Sequence, residues 1–70
     1  MSVDVEQLYR KYGPFVLRRC RRMLGEEHQA REAMQDVFLQ ILRRQDTLVD
    51  RGLGALLYRT ATNTCLNKLR

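Results

Sequence analysis

The sequence predicts an all-α fold, a small bundle of three to four helices, on three observations. Apolar residues recur at spacings of three and four along nearly the whole chain. Ala, Leu, Arg, Glu and Gln, all good helix formers, are frequent. Four Gly and one Pro are too few to punctuate a many-stranded fold. Seventy residues make one domain, expected to span 1–70. A chain of this size buries only about 60% of the surface it exposes when unfolded, so the core must be compact. A hydrophobic share of 44% is ordinary for globular chains and excludes a disordered tail.

The first helical stretch opens after Asp4, a residue suited to the N-cap or to the first turn. Val5, Leu8, Tyr9, Tyr12, Val16, Cys20, Met23 and Leu24 keep one face throughout. Gly13-Pro14 interrupts it, and Pro14 has no N–H to give the previous turn. The expectation is a helix kinked there, or two nearly collinear ones. Gly25 supplies the stop, opening a break over Gly25-Glu26-Glu27-His28.

The second stretch has the cleanest period. Ala30, Ala33, Met34, Val37, Phe38, Ile41 and Leu42 predict an amphipathic helix ending near Arg43-Arg44, whose charges suit the negative end of the helix dipole. A second break runs from Asp46 to Gly54. The third stretch, from Gly54 or Ala55 to Arg70, places Tyr58, Ala61, Cys65 and Leu69 on one face, widened by Leu57 and Leu66. Cys20 and Cys65 read as small core residues. Tyr9, Tyr12, Phe15, Phe38 and Tyr58 read as core rather than as a platform for stacking bases.

The net charge is +5, and all but two of the thirteen basic residues are Arg. Arg carries a planar fork of donors that suits phosphates and base edges, so the balance points to nucleic acid; a solvated Arg-rich surface accounts for it equally. The cluster Arg18-Arg19-Arg21-Arg22 reads first as solvated surface, its stems covering apolar neighbours. The acidic N-terminus lacks the apolar run of a secretory signal, and no stretch is apolar enough to cross a bilayer. Two distant cysteines without a CxxC suggest neither a zinc site nor a disulfide framework. A cytoplasmic location without membrane insertion is therefore expected. No nucleophile, base and orienting group can be assembled, and no phosphate loop is present. The chain is expected to be no enzyme and to need no cofactor or metal.

Two stripes lie off the apolar faces. On the second helix Glu32, Gln35, Asp36 and Leu39 fall at i, i+3, i+4 and i+7, an acid-and-amide row with one apolar anchor, of the kind that receives a basic helix. Periodicity alone favours a solvated face there. On the third helix Arg59, Asn63, Asn67 and Arg70 share a face, with Lys68 beside them. Two amides between two guanidiniums can meet base edges and phosphates together. Solvation explains them as well, although exposed Asn is a poor helix former.

The segment Ala30-Arg-Glu-Ala-Met-Gln-Asp-Val-Phe-Leu39 resembles region 2.2 of the extracytoplasmic-function (ECF) sigma factors of bacterial RNA polymerase. Leu56-Leu-Tyr-Arg-Thr-Ala-Thr-Asn63, continuing to Asn67 and Arg70, resembles their region 2.3–2.4, and Leu8-Tyr9-Arg-Lys-Tyr12-Gly-Pro14 looks like their first helix. The resemblance implies a transcription-initiation module. Glu32, Gln35, Asp36 and Leu39 would contact the coiled-coil clamp helices of the polymerase β′ subunit. Arg59, Asn63, Asn67, Lys68 and Arg70, with Leu48 and Arg51 from a specificity loop at Leu48 to Gly52, would engage the non-template strand of the −10 promoter element. An anti-sigma factor is a further expected partner, and a sigma-like interaction module without promoter opening is the alternative.

Four positions depart from the family pattern. Leu56 replaces the usual Trp, Thr60 the usual Ile, Asn67 the usual Asp, and Arg31 reverses the first acid of region 2.2. The resemblance stops at region 2. A complete ECF sigma factor carries region 4 as well, so the chain is expected to be an isolated domain, a fragment or a reduced sigma-like protein.

Overall fold

A computed structural model describes residues 4–49 and 51–70. Helix α1 runs Val5–Leu24, α2 Glu27–Arg43 and α3 Leu53–Leu69, with one 3-10 turn, Gln45–Thr47, between α2 and α3. Each α-helix packs on the other two around one core. The expected helical bundle is what the chain forms.

Local chemistry sets the ends. Asp4 caps α1, its carboxylate accepting from the Glu6 and Gln7 amides at 3.0 and 3.4 Å. Gly25 ends it in the left-handed conformation at φ 74°, donating its N–H to the Arg21 carbonyl. The break is shorter than its sequence suggests. Glu26 caps α2 by accepting from the His28 and Gln29 amides, so Glu27 and His28 are already helical. Gly52, at φ 76°, starts α3 without a side-chain cap.

The expectation of a first helix kinked or split at Gly13-Pro14 meets one uninterrupted helix. Gly13 faces the interior while Pro14 and Arg10 lie outside. The Arg10 carbonyl, deprived of a partner by Pro14, is thus on a solvent-facing turn where water can serve it.

Leu8, Val16 and Cys20 from α1 meet Ala30, Ala33, Met34, Val37, Phe38 and Ile41 from α2. Leu53, Leu57, Ala61 and Cys65 complete the core from α3. Val16, Ile41 and Leu57 are fully buried, each contributing about 1.5–3 kcal/mol through the apolar surface it withdraws from water. The predicted face of α2 is correct except for Leu42, which is exposed. That of α3 is turned by about one residue. Leu53, Leu57, Ala61 and Cys65 form the buried line, whereas Tyr58, Leu66 and Leu69 stand outside it. Of the five aromatic residues expected inside, Phe38 is buried, Tyr12 is half-buried, and Tyr9, Phe15 and Tyr58 are exposed.

Both cysteines are free and fully buried. Burial, helped by a hydrogen bond with the Cys65 thiol, pushes the Cys20 thiol up to about 12. It is a packing group. Among the described residues no helix is long and apolar enough to cross a membrane.

Candidate functional site

Helix α2 offers its outer side because all its apolar positions but Leu39 and Leu42 are used up inside. Glu32 and Gln35 are exposed and Leu39 is 51% exposed. Asp36 is about half open on its side chain. Glu32 receives His28 Nε2 at 3.0 Å, one turn earlier. The expected row therefore stays outside the core, on a regular helix.

Helix α3 presents Arg59, Asn63 and Asn67 to solvent, with Arg70 just past its end. Arg51 is exposed in the connection before it, and Asp50 lies outside the described residues. Leu48 differs. Following the 3-10 turn, it is buried at 9% exposure within the core cluster. An apolar side chain within that cluster gains more from burial than from a polar strand, so Leu48 leaves the expected DNA-facing set.

The fold joins the two stripes, which periodicity kept apart. A groove of about 540 Å³ between α2 and α3 is lined by Asp36 and Leu39 on one wall and by Asn63, Asn67 and Lys68 on the other. Lys68 Nζ stands 3.1 Å from Asp36 Oδ2 across it. Three lining residues escaped the sequence reading: Gln40, Arg43 and Thr64. Gln40 Nε2 donates to Thr64 Oγ1 at 2.9 Å, satisfying a buried hydroxyl. Their signal was present but faint, since Gln40 and Arg43 continue the Asp36 row at i+4 and i+7. Glu32, Gln35, Arg51, Arg59 and Arg70 lie outside the groove lining.

Chemically the groove holds amide donors and acceptors, two cations and one carboxylate. That set can read base edges and neutralise phosphate. It contains no nucleophile with a base beside it. Among the described residues no group of three or more His, Cys, Asp or Glu is placed to hold a metal ion.

The exposed aromatics form a separate patch between α1 and α3. Phe15 and Tyr58 are 6.2 Å apart between ring centroids. Arg19 lies 4.6 Å above the Tyr58 ring and donates to Thr62 Oγ1 at 3.3 Å. Tyr58 is thus covered on one face by a guanidinium.

The family model for sigma-70 region 2 matches residues 8–70. The chain belongs to the sigma-70 region 2 family. Nothing among curated proteins or solved structures matches it. Sigma-70 region 2 is a non-catalytic domain of transcription initiation that works with RNA polymerase and promoter DNA.

Proposed function

We propose that this sigma-70 region 2 domain is of the extracytoplasmic-function type and forms one functional unit over residues 1–70. It acts in the cytoplasm, docking on the β′ clamp helices through Glu32, Gln35, Asp36 and Leu39. It takes the non-template strand of the −10 element along Arg59, Asn63, Asn67, Lys68 and Arg70, with Arg51 approaching from the loop. The observation that carries this reading is that both rows stay outside the core, and that Asp36 and Leu39 of the first face Asn63, Asn67 and Lys68 of the second over one groove.

Glu32→Arg with Asp36→Arg tests the docking half. Binding to polymerase core should weaken by roughly tenfold or more, because like charges then face a basic partner. The thermal transition should move little, since exposed ion pairs are worth about 0–1 kcal/mol. Unchanged polymerase binding by a folded double variant sinks the reading. For the strand, affinity for a −10 non-template oligonucleotide should fall with salt at a slope of about −0.7 per phosphate neutralised. Asn63→Ala should lower affinity without changing that slope, and Arg59→Ala should reduce it by about one phosphate.

Leu56 favours a second reading. It is half-buried against the core where the resemblance expects Trp, so no large aromatic is offered at that position. A module that occupies the clamp, or is held by an anti-sigma factor, without opening promoters would inhibit or leave unchanged a promoter-melting assay with polymerase core. The lead reading predicts melting.

A further inference from the structure

A groove on the other flank of α2, against α1, takes no residue from either stripe. It measures about 430 Å³. Tyr9, Gly13, Pro14, Leu17 and Met34 make its apolar floor, and Arg10, Arg18, Arg21 and Arg31 stand around it. We propose that it is a docking site for an acidic amphipathic helix of a partner protein, with apolar residues on the floor and carboxylates on the arginine rim.

The rim shows how it takes a carboxylate. Glu27 bridges two of the guanidiniums, with Arg21 Nε at 2.7 Å, Arg21 Nη2 at 2.9 Å and Arg31 Nε at 2.7 Å. Paired guanidiniums hold its carboxyl below the usual range, Arg21 contributing most. Arg21 and Arg31 are thereby held at the groove edge with donors to spare. Arg10 is paired with Glu6 at a largely exposed position where a new carboxylate can replace the old one. Arg18 has no ion pair among the described residues and is exposed. Four cations against two carboxylates leave the rim positive.

The floor selects protein over nucleic acid. Pro, Leu and Met side chains carry no group that pairs with a base edge. The Tyr9 ring is tied to the core by its T-shaped contact with Phe38, centroids 5.0 Å apart at 61°, and no second aromatic lines the groove to continue a stack of bases. A groove between two helices, apolar below and charged at the edges, is the shape that an amphipathic helix fills. The inference stands apart from the polymerase reading, because the two surfaces share no residue.

The test titrates the isotopically labelled chain, followed by NMR, with three probes. One is a synthetic amphipathic peptide with Glu on its polar face and Leu on the other. The second is the same peptide with Lys for Glu, and the third a mixed-sequence single-stranded oligonucleotide. The acidic peptide should shift the signals of Tyr9, Leu17 and Met34 and leave those of Asn63 and Asn67 in place. Arg18→Glu with Arg31→Glu should weaken it by roughly tenfold or more. If that variant loses its helical circular dichroism, Arg18→Glu alone serves, since Arg18 holds no ion pair. Equal binding of the Lys peptide, the same shifts caused by the oligonucleotide, or no shift with the acidic peptide would each overturn the proposal.

Discussion

Helices α2 and α3 have the same length and use their residues in opposite ways. In α2 nearly every apolar side chain points inward and the outer side is polar, with Leu39 and Leu42 as exceptions. In α3 Tyr58, Leu66 and Leu69 lie outside, while the polar Thr64 is buried. An amphipathic pattern alone explains α2. For α3 it explains only half of the residues, and the others mark where the helix meets neighbours or solvent on terms unrelated to the core. A weakly patterned helix in a tightly packed domain is a place to look for surface roles.

The sharpest way to break this contrast is to compare adjacent residues. Leu57→Ala should cost about 2–5 kcal/mol, like Ile41→Ala in α2, because each leaves a cavity in a filled core. Tyr58→Ala, one position on, should cost about 1 kcal/mol, mostly its contact with Arg19. Thermal or denaturant unfolding reads both. Equal losses at 57 and 58 would mean that the buried line of α3 is wrongly placed.

Alkali tests the α1–α3 contact. The Cys20 thiol is held up near 12, whereas an unfolded cysteine ionises near about 8.5. A raised thiol keeps its full contribution below the unfolded value. Stability should decline as pH climbs from there toward 12, because the unfolded chain alone ionises. In Cys20→Ala this alkaline limb should shrink. A native thiol labelled by maleimide at the rate of an unfolded one contradicts the burial.

Smaller effects refine the comparison. Thr64→Val should cost about 1 kcal/mol, the net worth of its bond with Gln40. Leu66→Ala should stay within roughly 0.5 kcal/mol, as at other surface positions. A large loss at Leu66 would return it to the core that periodicity first assigned.

The helix count, the α2 face, the Asp4 cap and the Gly25 stop were legible because each depends on neighbours within a turn or two. The phase of α3 was not, since Leu57 and Tyr58 are both apolar and only packing against α1 and α2 decides between them. Glu26 hid as a cap because Glu is not among the usual capping residues, so it read with Glu27 and His28 as part of the break. Both rows of the candidate site could be found from spacing. Their convergence could not, since Asp36–Lys68 and Gln40–Thr64 join residues far apart in the chain. Leu48 came into the strand-facing set through the resemblance alone, and only the fold after the 3-10 turn shows it buried.

Cys20, Ala30, Ala33, Ala61 and Cys65 are all fully enclosed in one cluster. At these five positions there is little to trim, so harm must come from enlargement. One added methylene group would push whole helices apart and cost about 1–3 kcal/mol. Growth is therefore the costlier change at this junction, whereas at Ile41 or Leu57 it is truncation, although Gly in place of Ala here would still cost about 0.5–1 kcal/mol in helix stability.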